Sequence, residues 1–158
     1  LVPGNRNLHQ EDKDLRASAL YWPYHVAIGE QVERLSKVGP PPAFVSIHSF
    51  TPVLNGESRE WQMGVLWDKD DKTRSIFLEG LRAAGYTVGD NEPYSGKAPQ
   101  DFTIDHHAEE IGLPHVGIEI RQDLIDDEAG VAEIARVMHN VIESIPEQLE
   151  MKGRRITA

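Results

Sequence analysis

Two ionisable residues interrupt otherwise apolar stretches: His48 in "FVSIHSF" and Glu119 in "VGIEI". An imidazole exchanges a proton or binds a metal near neutral pH. A carboxylate inside a buried strand is costly unless something compensates it. The plainest compensation is a salt bridge to Arg121, two residues on and on the same side of the strand. The plainest reading of His48 is a satisfied structural histidine. Taken together the two suggest more. A metallohydrolase needs imidazole or carboxylate ligands, an open metal position for water, and a carboxylate to take the water's proton. His48 could be one ligand and Glu119 the base. Other chemistries find less support. There is no H-E-x-x-H pattern, and adjacent His106 and His107 point to different helix faces, so at most one can face a site. No G-x-S-x-G elbow surrounds Ser46 or Ser49, and no glycine-rich phosphate loop occurs.

The elements that must carry these residues alternate between strand and helix. Residues 10–38 have a helical pattern that breaks at "YWPYH", with Pro23 in the first turn of a second helix and Val26, Ile28, Val32 and Leu35 at helical spacing. Strands are expected at 43–48, "MGVLWD" (63–68), "YTVG" and "HVGIEI". A polar loop at 49–62 separates the first two. "DKTRSIFLEGLRAAG" reads as a helix capped by Asp70 or Asp71 and stopped by Gly85. A short helix, "TIDHHAEEIG", follows a loop rich in Pro, Gly and Asn. The last helix spans 127–145, with Val131, Ile134, Ala135, Met138 and Ile142 on one face. The tail "GRRITA" is expected to fray. This order implies an α/β layer architecture, and a mixed central sheet flanked by helices is the expected form.

Composition narrows the function classes. The 158 residues suit one domain, and 39% hydrophobic with 27% charged residues suits a globular one. With no cysteine, disulfides and thiolate metal sites are excluded, and any metal must be held by His, Asp or Glu. A net charge of −10 argues against nucleic acid or an anionic membrane as partner. No apolar run approaches the roughly 20 residues of a membrane span, and no secretory signal pattern is present, which fits a cytoplasmic home. Oligomeric state is not legible.

The motifs "VPGN", "PYH", "PAFVSIHSFTPVLNG", "GVLWD", "VGDNEPYS", "DFTIDHHA" and "GLPHVGIEIRQDLI" appear in an order and at spacings that resemble the N-formylglutamate amidohydrolase family. The resemblance runs from residue 2 to about residue 144. It implies a zinc-exopeptidase-like, three-layer fold related to the aspartoacylase-type deacylases. It implies hydrolysis of a small anionic N-acyl amino acid, foremost N-formyl-L-glutamate to formate and glutamate, in histidine degradation. Within it His48 looks like a metal ligand and Glu119 like the general base. Arg121 would bind the substrate carboxylate or support Glu119. Asn91 and His107 would line the pocket, with Tyr24 and His25 as weaker candidates. The cofactor implied is zinc. In the family the segment before "VPGN" brings the remaining ligands, so residues 1–158 are expected to be the C-terminal part of a larger domain. The alternatives are a deacylase of other specificity and a catalytically silent fragment or binding domain.

Overall fold

The computed structural model describes Gly4, residues 6–97 and residues 102–149, and the chain divides between Val38 and Gly39 into two compact units. The tail expected to fray lies outside the described residues. Within the first unit, α1 (Gln10–Arg16) runs through a π-helical turn, Ala17–Tyr21, into α2 (Trp22–Val38). The chain does not break at "YWPYH" as expected: Trp22–His25 open α2, and the wider turn lies just before them. Pro23 has no N–H to offer the preceding turn, and the Trp22 N–H bonds back five residues to the Ala17 carbonyl. The stripe expected on α2 is largely exposed, Val26 at 57% and Leu35 at 40%. A single helix has nothing within its own unit to bury such a stripe.

The second unit holds a four-stranded mixed sheet in the order β1-β6-β4-β5. The strands are β1 (Phe44–Phe50), β4 (Met63–Leu66), β5 (Val88–Asp90) and β6 (His115–Arg121). β1 and β6 are parallel, β4 is antiparallel to β6, and β5 is parallel to β4. The loop expected at 49–62 contains a hairpin, β2 (Val53–Leu54) with β3 (Glu57–Ser58). Its turn is Asn55-Gly56, both at positive φ, the dipeptide that suits a two-residue hairpin. β1 also runs two residues past His48.

The period-two alternation of the strands sorts the sheet into two faces. One carries Val116, Ile118, Ile120, Met63, Val65 and Val88, all buried, and forms the core with α3 (Asp71–Ala83) and α5 (Glu128–Gln148). Asp70 caps α3, accepting the Thr73 N–H at 3.0 Å, and Gly85 follows it at φ +96°. The buried stripe of α5 is Ile134, Val137, Met138, Val141 and Ile145, rotated from the expected one, and Val131 is 50% exposed. Gly80 explains the rotation: a Cβ there would lie 2.7 Å from a Val141 methyl, so α3 meets α5 along the Val141 edge. The opposite face of the sheet holds Ser46, His48, Phe50, Gly117, Glu119, Arg121, Gly64 and Gly89. It is the face that carries both His48 and Glu119.

Candidate active site

His48 and Glu119 are register partners on neighbouring parallel strands. Paired residues of adjacent strands lie about 4.8 Å apart and project to the same side. The imidazole is exposed and the carboxylate is 8% exposed, so one group is open to a ligand while the other is shielded. The Ser46 hydroxyl lies 2.9 Å from His48 Nε2. If Nε2–H donates to that oxygen, Nδ1 is left as the lone-pair nitrogen, and the ring orientation is fixed.

The same row continues across the sheet. Glu119 is paired with Gly64, and Gly64 with Gly89. The two glycines let a loop lie directly on the face. A Cβ on Gly64 would collide with the Glu92 carbonyl oxygen and sit 3.2 Å from Pro93 Cδ and 3.3 Å from Glu119 Cβ. A Cβ on Gly89 would sit 2.7 Å from Glu92 Cβ. Residues 91–96, including a cis Glu92–Pro93 bond, therefore form a wall beside Glu119.

Asn91 ties that loop shut. Its Oδ1 accepts the Trp67 N–H at 2.9 Å and the Gly96 N–H at 3.0 Å, and its own N–H donates to the Val65 carbonyl at 2.9 Å. Its φ of 55° is one that Asn tolerates better than most residues. The amide oxygen thus shapes the wall rather than facing a ligand. Asp90, just before it, accepts the Trp67 indole N–H at 2.7 Å and ion-pairs with Arg74. The Arg74 guanidinium holds the Asp90 carboxyl below its ordinary value.

Arg121 lies two residues beyond Glu119 on the same face, yet its ion-pair partner is Asp123. Nε and Nη2 donate to the two Asp123 oxygens at 2.7 and 3.0 Å, and Nη1 to the Arg59 and Trp61 carbonyls at 3.1 and 3.2 Å. The guanidinium keeps the Asp123 carboxyl below its ordinary value. This fork is occupied in pinning residues 59–61 to the end of β6.

His106 and His107 diverge as expected: the His106 side chain is 51% exposed, while His107 is buried. The short helix α4 (Phe102–Ile104) lies over the site face, and Ile104 Cδ1 would be 3.4 Å from a Cβ on Gly117. From there the chain runs on through His107 to Glu109, 3.4 Å from His115 at the opposite, amino end of β6. A cleft of about 400 Å³ at that end is lined by Lys69, Asp70, Glu109, Leu113 and His115 among others, four strand positions from Glu119. Tyr24 and His25 belong to the first unit, where His25 packs on Tyr21 with ring centroids 4.3 Å apart.

The donor set fits a metal only in part. Among the described residues no three His, Asp or Glu side chains gather as a metal site, whereas a stable zinc site takes about three protein ligands. His48 can supply one.

Two side chains that sequence reasoning passed over also stand on this face. Arg59, just after β3, donates from Nη1 to the Tyr94 hydroxyl at 2.8 Å, with its guanidinium 5.5 Å from the Phe50 ring centroid. The Asn55-Gly56 turn was the available signal, because a hairpin there returns the chain past the end of β1.

Comparison with known proteins shows the family. The family model for N-formylglutamate amidohydrolase matches residues 1–126. The chain belongs to that family. Among solved structures, a gene product of Agrobacterium tumefaciens superposes with a TM-score of 0.81 at 36% identity, over 94% of this chain and 59% of its own. An N-formylglutamate amidohydrolase from Ralstonia eutropha superposes with a TM-score of 0.67 at 22% identity, over 90% of this chain and 56% of its own, and shows a shared fold. This member of the amidohydrolase family thus spans less than two thirds of the length of either structure. No curated protein matches it. No helix among its described residues is long and apolar enough to cross a membrane.

Proposed function

We propose that the protein hydrolyses the amide of a small anionic N-acyl amino acid in the cytoplasm, with N-formyl-L-glutamate as the foremost substrate. Family membership supports the reaction class. The observation that carries the chemistry is the register pairing of His48 with Glu119 on one face of the sheet.

Glu119 acts as the general base. It takes a proton from water as the water oxygen bonds to the acyl carbon, and delivers it to the amine nitrogen as the C–N bond breaks. The products are a carboxylate, formate for a formyl group, and the free amino acid. Burial suits this task, because a carboxylate screened from bulk water keeps its electrostatic influence on the reacting atoms. The loop at 91–96 packs on Gly64 and Gly89 beside Glu119 and covers the sheet there. His48 is proposed as one imidazole ligand of a divalent metal, zinc being the first choice for a nitrogen and oxygen donor set. When bound, such an ion would polarise the acyl carbonyl. The described residues supply only part of such a site.

The test is acyl release by the full-length protein from N-formyl-, N-acetyl- and N-succinylglutamate, assayed side by side. Formate release should be fastest. Preference for the acetyl or succinyl compound would show a deacylase of other specificity, and release of no acyl group would contradict the reading.

A further inference from the structure

We infer that Arg59 and Tyr94 bind the side-chain carboxylate of the substrate, and that Arg121 acts one step behind them by fixing Arg59. The inference rests on the proposed reading that the substrate is an N-acyl acidic amino acid.

An anion entering a protein of net charge −10 needs a local cation. Arg121 is committed to Asp123 and to main-chain carbonyls. Arg59 is different. Among the described residues it forms no ion pair, and its guanidinium is flanked by aromatic rings, 5.5 Å from the Phe50 centroid and 5.0 Å from that of Tyr94. Its main chain is held on both sides: the N–H donates to the Pro52 carbonyl at 2.9 Å, and the carbonyl accepts from Arg121 at 3.1 Å. The planar fork is thus set in place before a ligand arrives, and that fork matches a carboxylate. Having accepted a hydrogen bond from Arg59, the Tyr94 hydroxyl keeps its own proton to donate. The pair offers one anion a charged and a neutral donor against an apolar floor.

The position fits the substrate as well as the chemistry. Phe50, under Arg59, is two positions beyond His48 on the same face of β1, which is about 6.6 Å along a strand. Tyr94 follows Pro93, which covers Gly64 beside Glu119. Five bonds separate the acyl carbon of an N-acylglutamate from its side-chain carboxyl carbon, about 6 Å when extended. The α-carboxyl carbon is only three bonds away, roughly 3.5 Å, too near to reach the Arg59 fork while the amide sits between His48 and Glu119.

The experiment measures dissociation constants by calorimetry for N-formylglutamate, N-formylglutamine and the α-amide of N-formylglutamate. The full-length protein is used in a Glu119→Gln background so that ligand is not consumed. Arg59→Met should weaken N-formylglutamate binding about 10- to 100-fold. Changing the ligand to N-formylglutamine should cost a similar factor, and the two changes together little more than either alone. Binding of the α-amide should stay sensitive to Arg59→Met. Tyr94→Phe should cost about 3- to 10-fold. An Arg59→Met effect within about threefold, or one as large on N-formylglutamine as on N-formylglutamate, overturns the inference. So does loss of the coupling with the α-amide instead. Arg59→Lys, which keeps the charge and the stem, should bind with intermediate strength. Should the Met variant not fold, the unsubstituted Arg59 protein still decides: equal affinity for N-formylglutamate and N-formylglutamine overturns the inference, and a tenfold or greater preference, about 1.4 kcal/mol, supports it. Formate release by the wild-type protein is read separately. The binding pattern without formate release rejects the amidohydrolase reading and keeps the anion site, and formate release without Arg59 dependence does the reverse.

Discussion

Replacing Gly64 with alanine adds one methyl group at the point where the sheet, the 91–96 loop and the proposed base converge. The new Cβ would stand 3.3 Å from Glu119 Cβ and 3.2 Å from Pro93 Cδ, and would overlap the Glu92 carbonyl oxygen. Ordinary contact requires that oxygen to retreat by about an ångström. The loop cannot yield freely, because the Asn91 amide oxygen accepts from the Gly96 N–H at its far end and from Trp67 at the end of β4, and the Asn91 N–H is bound to the Val65 carbonyl. Overpacking of this kind costs about 1–3 kcal/mol. In a chain of this size that lowers the melting temperature by roughly 2–10 °C. The effect on activity should be larger in proportion, since displacing a catalytic group by about an ångström costs roughly 100-fold in rate. Thermal melting followed by circular dichroism reads the first quantity and formate release the second. Gly29→Ala is the control: a Cβ there meets nothing within 4 Å, so in α2 it should raise stability slightly and leave activity unchanged. A Gly64→Ala protein with wild-type melting and turnover would refute the idea that the loop rests on the sheet beside Glu119.

Two further perturbations probe the supports of the site. Asn91→Ala removes the acceptor for two main-chain N–H groups and places alanine at φ 55°, which together should cost about 2–4 kcal/mol in urea unfolding. Asn91→Gly relieves the backbone and should recover about 1 kcal/mol of that loss. The Asp90 carboxyl is held below its ordinary 3.8, first by Arg74, so its contribution to stability is complete above that value and is lost as pH falls through the lower folded one. Melting temperature followed from about pH 6 down to pH 2 should therefore fall less steeply in Asp90→Asn than in the wild type.

The sheet strands, α3 and its capping Asp70 were legible in the sequence because their signals are local: apolar runs, an acidic residue before a helical period, a glycine after it. His48 and Glu119 were legible because an ionisable group in an apolar strand conflicts with its surroundings. Their pairing was not, since strand order and register are set by contacts seventy-one residues apart. Arg121, read as binding the substrate carboxylate or supporting Glu119, shows what spacing alone leaves out. Spacing placed the guanidinium on the same face as Glu119, and the coordinates add its bonds to Asp123 and to the carbonyls of 59–61. Asn91 presents the same case, a polar residue in a motif whose amide oxygen closes a loop. Arg59 was hidden because it follows a hairpin that reads as a polar loop, although the Asn55-Gly56 turn within it announces the hairpin. The stripe on α5 was misplaced because Gly80, on another helix, decides which side can approach.

The central claim is that Glu119 activates the attacking water beside His48. The most direct measurement is steady-state formate release from N-formylglutamate by the full-length Glu119→Gln protein, with substrate affinity and bound metal determined on the same sample. The account predicts that turnover falls by about 10³-fold or more while affinity and metal content stay within about threefold of wild type. Turnover within tenfold of wild type would contradict it.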